Sequence, residues 1–331
     1  DARQRPLASS PESIPADAHV KGTWSAVHDW PIIPIHSVLM PDGRVMTFGS
    51  RPDGSSTAYF GLDIWDNAGD PASGHLSIAN GTGNDIFCSA HLLLPPPDMA
   101  SAPAVFMAGG DAWNGISSTF IGIKGQTVYD GAVGGLVKGT EMTRPRWYAS
   151  TTTLVNGEVY IQGGAGGADR PEVRQADGTI RTLTTADTSF LAWSYPRNYV
   201  MPDGRLFGYD YEGRMYFVDT AGTGTVSART ILPMQYFGIG SSAMFRPGRI
   251  LQIGGNTNAA AIIDVTSGNP VFTPTQSTST VRKTMTATLL ADGQVLVTGG
   301  SPVWNELPGA NKAAEIWNPV DRKSTRLNSS H

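Results

Sequence analysis

A short phrase recurs along the chain and restricts its fold more tightly than composition does. Leu39-Met40-Pro41-Asp42-Gly43-Arg44-Val45, Val200-Met201-Pro202-Asp203-Gly204-Arg205-Leu206 and Leu289-Leu290-Ala291-Asp292-Gly293-Gln294-Val295 are near copies. Leu154-Val155-Asn156-Gly157-Glu158-Val159 and Phe245-Arg246-Pro247-Gly248-Arg249-Ile250 are looser versions. Each joins two apolar runs through a Pro-Asp-Gly or Asn-Gly element, a hairpin signature in which glycine supplies the positive φ. The second run usually ends in a glycine pair: Gly109-Gly110, Gly163-Gly164, Gly254-Gly255 and Gly299-Gly300, with Gly49-Ser50 and Gly208-Tyr209 as degenerate forms. The steps from Gly49 through Gly109, Gly163, Gly208, Gly254 and Gly299 are 60, 54, 45, 46 and 45 residues.

Periods of this size belong to kelch-type propellers, in which each repeat is one four-stranded blade packed on its neighbours. Six repeats can be read, near 35–75, 86–130, 146–185, 195–228, 238–275 and 283–320. The expected fold is therefore all-β, a kelch-type β-propeller with six recognisable blades of an expected seven. A β-sandwich with coincidental turns is the competing reading, and five turn matches in register with paired glycines disfavour it. Composition agrees, with 39 Gly, 23 Pro and only 16% charged residues. No apolar stretch approaches the roughly 20 residues of a membrane span. The net charge of −4, with scattered basic residues, leaves no nucleic-acid footprint.

Aligning the repeats on their turns gives a column of first-strand residues: Pro34, Cys88, Tyr148, Tyr195, Ile239 and Thr284. In a propeller such positions circle one mouth of the axial channel, so Cys88 and Tyr148 are expected side by side there. Cys88 is the only cysteine, which excludes an intrachain disulfide framework and a cysteine zinc site. Two readings of it stay open, a buried small hydrophobe and a functional thiol. His36 and His91 fall within first strands, where alternation assigns them satisfied packing roles rather than metal ligation.

Three segments resemble a known family. Asp29-Trp30-Pro31-Ile32-Ile33-Pro34-Ile35-His36-Ser37, Asp85-Ile86-Phe87-Cys88 and Arg144-Pro145-Arg146-Trp147-Tyr148-Ala149-Ser150 are similar to the galactose oxidase/glyoxal oxidase family of copper radical oxidases. The resemblance runs from about Gly22 to Pro319. It implies a secreted enzyme that oxidises a primary alcohol or aldehyde with O2 and releases H2O2. It also implies a copper cofactor and a radical cofactor, in which Cys88 is bonded through sulfur to the ring of Tyr148, a copper ligand. The substrate would be a small alcohol or aldehyde, or a carbohydrate.

The match is incomplete. The family's axial Tyr and adjacent His form a Tyr-His-Ser phrase that this chain lacks, and its second His ligand comes from a C-terminal domain that is also missing here. Its covering aromatic would fall at Gly166, leaving Trp113, Trp147 and Trp193 as possible substitutes. No sugar-binding arginine lies between Asp187 and Trp193. Paired carboxylates for a hydrolase are not found among the repeats, and a non-catalytic propeller that binds polysaccharide or protein is the alternative function.

The two chain ends differ in character from the repeats. Residues 1–20 form a polar tail without the apolar core of a signal peptide. Residues 21–320 hold the incomplete propeller. Residues 321–331, Asp321-Arg322-Lys323-Ser324-Thr325-Arg326-Leu327-Asn328-Ser329-Ser330-His331, match the in-frame translation of a common sequencing adapter and read as a non-native tail outside the strand pattern. The expectation is a truncated, inactive and poorly soluble fragment whose missing blade and domain carry the other ligands.

Overall fold

The computed structural model describes residues 15–18, 22–68, 72–96, 98, 101–304 and 308–329. Most of the polar N-terminal tail, His19 and His331 lie outside the described residues. The described residues form 26 strands, and these fall into six four-stranded antiparallel sheets and one small hairpin.

The first sheet contains β1 (Ile33–Leu39), β2 (Val45–Ser50), β3 (Gly61–Trp65) and β4 (His75–Ala79) in that order. The second contains β5 (Ala90–Leu93), β6 (Ala104–Ala108), β9 (Gln126–Asp130) and β10 (Gly135–Lys138). A hairpin of β7 (Asp111–Trp113) and β8 (Ser118–Gly122) is inserted into it, which accounts for the longer repeat there. The third is β11 (Ala149–Thr153), β12 (Val159–Gly163), β13 (Glu172–Arg174) and β14 (Ile180–Thr182). The fourth is β15 (Arg197–Val200), β16 (Leu206–Tyr209), β17 (Arg214–Asp219) and β18 (Thr225–Ile231). The fifth is β19 (Ser241–Arg246), β20 (Arg249–Ile253), β21 (Ala260–Asp264) and β22 (Val271–Thr275). The sixth is β23 (Thr286–Leu289), β24 (Val295–Thr298), β25 (Ala313–Trp317) and β26 (Ser324–Ser329). These are the six blades expected from the repeats.

The recurring phrase has the same geometry in four blades. Gly43, Gly157, Gly204 and Gly293 take φ of 83–86°. Each donates its N–H three residues back, to Met40, Leu154, Met201 and Leu290 at 2.9–3.0 Å. The Asp or Asn before each glycine accepts the backbone N–H two residues on, as Asp42 does from Arg44 at 3.0 Å and Asn156 from Glu158 at 3.1 Å. A single turn design thus joins the first two strands of these blades.

Contacts divide the chain into two compact units, one built around Val27–Asn198 with Thr220–Thr225, the other around Tyr199–Asp219 with the chain from Val226 onward. In the first unit a core of Met40, Met46, Phe48, Leu62, Ile86, Phe87, Val105, Met107 and Tyr129 fills the space between blades one and two. Ala90, Phe106, Ala108, Ala149, Val159 and Ile161 do the same for blades two and three. In the second unit Phe207, Met215, Ile250 and Ile263 form one such core, and Leu251, Ile262, Val295 and Trp317 another. Alternation along each strand supplies the residues for both faces.

Residues 324–329 differ from the expectation of a segment outside the strand pattern. They form β26 against β25, pairing Trp317 with Ser324 and Glu315 with Arg326. The cause is main-chain: the outer edge of β25 offers N–H and C=O groups that any extended segment can satisfy, whatever its side chains.

Candidate redox site

Blade junctions position the site, and its residues lie in the first unit. Cys88, Tyr148 and Tyr195 do not sit within first strands, as their column suggested, but at the entry one or two residues before them. There the chain turns into its new blade, and all three take a left-handed backbone, with φ of 54°, 67° and 44°. Non-glycine residues with this conformation are uncommon and cluster where function or tight geometry demands it. Their main chains are joined in series: Tyr148 N–H donates to Cys88 O at 3.1 Å, and Tyr195 N–H donates to Tyr148 O at 2.8 Å.

The glycine pairs admit this close approach. Gly110 N–H donates to Arg146 O at 2.8 Å, and Gly164 N–H donates to Trp193 O at 2.6 Å, so each pair ties its blade to the next. A Cβ on Gly110 would lie 2.0 Å from Asp85 O. Between these contacts Arg146 is fully buried. It pairs with Glu172 at 2.9 Å and donates to Gly163 O at 2.6 Å and Gly167 O at 2.8 Å. This arginine anchors the segment that presents Tyr148 two residues later.

The Cys88 thiol is 5% exposed and hydrogen-bonds to the hydroxyls of both Tyr148 and Tyr195. Burial pushes its pKa up to about 12, against the two phenols, which lower it; Asp111 and Asp85 raise it further. Burial likewise raises Tyr148 well above the ordinary phenol range, with Cys88 and Asp111 adding to the shift. Tyr195 is raised by burial, then by Cys88 and Tyr148. Thiol and phenols are therefore all protonated at neutral pH.

An aromatic stack encloses Tyr148. Its ring lies 4.0 Å from Trp147 at 20°, 4.8 Å from Tyr195 at 29°, and 5.7 Å from Trp193 at 6°. Trp147 and Trp193 thus both lie along the Tyr148 ring, whereas Trp113 stacks on Tyr59 and meets Phe60 edge-on. Gly166 leaves no room for an aromatic, because it has φ of 89° and a Cβ there would lie 2.7 Å from Pro145.

The sequence reading missed Tyr195 as a second contact of the thiol, although it had placed this residue in the same column. It also missed two carboxylates. Asp85 accepts from Thr57 Oγ1, Ala58 N–H and Phe87 N–H, which fixes the Phe-Cys segment. Asp111 follows the Gly109-Gly110 pair; its Oδ1 accepts from Ala112 and Ile121, and its Oδ2 is buried without a partner. Burial raises the pKa of both. His36 and His91 pack as expected, but they are not satisfied: His36 Nε2 and His91 Nδ1 have no hydrogen-bond partner.

Copper fits this arrangement only in part. Tyr148 is a suitable oxygen ligand beside the thiol, but among the described residues no group of three or more His, Cys, Asp or Glu side chains could hold a metal. Size does not mark the site either, since a pocket of about 800 Å³ in the second unit is lined by Asn258, Ser279, Lys312 and Arg326 and holds no redox group.

Blades of this design define a β-propeller, and relatives give its type. The chain is 25% identical over 319 aligned residues to galactose oxidase of Gibberella zeae, covering 84% of this chain and 44% of that protein, and a second galactose oxidase sequence of the same species matches equally. A fungal alcohol oxidase of the AA5 family, solved in complex with copper, superimposes with a TM-score of 0.72 at 18% identity, covering 91% of this chain and 66% of that one. No protein-family model matches. The chain is galactose oxidase-like in sequence and fold. It spans less than half the length of the galactose oxidases it matches.

Proposed function

We propose that this chain carries the radical-cofactor half of a secreted copper radical oxidase, which converts a primary alcohol to an aldehyde, or a hydrated aldehyde to an acid, while O2 becomes H2O2. The carrying observation is the buried Cys88 thiol held against the Tyr148 phenol inside an aromatic stack. In this reading sulfur bonds to the Tyr148 ring. The thiol and a ring carbon each give up a hydrogen, and O2 takes the two electrons and two protons as H2O2. The thioether donates electron density, which makes the phenol easier to oxidise, and Trp147 and Trp193 shield it from water.

Tyr148 would be one copper ligand, and a bound copper would supply one-electron chemistry and favour the phenolate. Burial and Asp111 keep the phenol protonated in the metal-free protein. The remaining ligands, an axial Tyr and two His by the family resemblance, are proposed to lie in the part of the relatives that this chain does not span. The fragment alone is then inactive. The substrate is a small alcohol or aldehyde, or a carbohydrate.

The test is peroxide release by copper-loaded full-length protein over a panel of primary alcohols, aldehydes and galactosides. Activity that Cys88→Ala or Tyr148→Phe lowers by about 100-fold or more, the scale expected when a transition-state contribution is removed, supports the reading. Full copper occupancy with no peroxide from any substrate would favour the polysaccharide- or protein-binding propeller instead.

A further inference from the structure

His36 on β1 and His91 on β5 come from adjacent blades of the first unit, with ring centroids 5.1 Å apart at 74°. Phe48 holds both, stacked 4.7 Å from His36 and edge-on 5.2 Å from His91. The His91 ring also interacts with the backbone of Ser37 and Ser89. Their orientation is therefore fixed. Both rings line a pocket of about 220 Å³ together with Ser89, Ser150, Thr151 and Tyr195.

Three buried polar atoms of residues that line this pocket have no partner: His36 Nε2, His91 Nδ1 and Ser89 Oγ. Such groups are costly to leave unpaired, and they normally meet a ligand, an ion or ordered water. Burial, then the neighbouring His91, lowers His36 to about 3, and burial lowers His91 as well. Both imidazoles are consequently neutral and keep a lone pair. Backbone contacts such as those of His91 are a usual support of a metal-ligating histidine.

We propose that His36 and His91 form a metal site, separate from the Cys88–Tyr148 pair, that takes a single copper(I) ion. Two neutral nitrogen donors and no lining carboxylate suit a singly charged ion of low coordination number, and imidazole is among the ligands that suit copper. Tyr195 borders this pocket and also hydrogen-bonds to Cys88, so the ion would sit next to the thiol–phenol cluster. The proposal does not depend on the oxidase reading.

Anaerobic titration with copper(I) against bicinchoninate tests it, using the 331-residue chain, its His36→Ala, His91→Ala and His36→Gln variants, and Tyr148→Phe. The wild type and Tyr148→Phe should each withdraw one copper per chain. Each histidine variant should bind at least about 10–100-fold more weakly, the scale on which even supporting partners tune metal affinity. The Gln variant keeps a polar side chain of similar reach, so its circular dichroism separates ligand loss from misfolding. Wild-type affinity in the histidine variants, loss in Tyr148→Phe alone, or no copper withdrawn by the wild type would each overturn the site, the last leaving only water in the pocket.

Discussion

Cys88 is held as a neutral thiol by burial, and this has consequences that can be measured on one residue. Its pKa is raised from 9.0 to about 12. Between those values the unfolded chain loses the proton while the folded chain keeps it. The thiol's contribution to stability is therefore full below 9.0 and is lost as pH rises through the window. Thermal melts across that window should show the wild type losing Tm relative to Cys88→Ala, and parallel curves would contradict the assignment. In its uncross-linked form the native protein should also resist thiol reagents near neutral pH, becoming reactive on denaturation. That Cys88 and Tyr148 lie beside each other was legible because turn alignment brought both into one column. The left-handed backbone was not, since a non-glycine residue with positive φ leaves no mark in composition. Nor were the unpartnered nitrogens of His36 and His91, because alternation indicates which face a side chain takes but not what its polar atoms meet.

Elements repeat a device that the family phrase had only hinted at. Arg146 precedes Tyr148 by two residues, and Arg282 precedes Thr284 by two, Thr284 also having a left-handed backbone, with φ of 55°. Each arginine is buried, pairs with a glutamate on the third strand of its own blade (Glu172 at 2.9 Å, Glu315 at 2.6 Å), and donates to the first glycine of its pair. Thr143 and Ser279, three residues before the arginines, donate backbone N–H to the same glutamates. The Arg-x-Tyr phrase is thus an anchor as well as a family mark. Removing one partner leaves a buried charge alone, so Glu172→Gln or Arg146→Met should cost about 3–5 kcal/mol in denaturant unfolding. A cost under about 1 kcal/mol would mean that the pair is not buried as described. The blade series was readable because its turns are local; the anchors were not, because their partners stand 26 and 33 residues away in sequence.

At the scale of the whole molecule, the chain carries less than half the length of the galactose oxidases it resembles. In its first unit the edge strand β1 leaves Ile33, Ile35 and Leu39 42%, 49% and 66% exposed on alternate positions. An apolar strand edge invites association between chains. Ile35→Lys should raise the monomeric fraction in size-exclusion chromatography, and an unchanged oligomer distribution would show that β1 is not the sticky surface. The central claim is the covalent pairing of Cys88 with Tyr148, and peptide mass mapping of the full-length protein after copper and O2 treatment tests it most directly. The account predicts a Cys88 peptide joined to the Tyr148 peptide, with the chain lighter by two hydrogens, and no such species in Cys88→Ala. A cysteine peptide recovered free, or joined to Tyr195 instead, would contradict it.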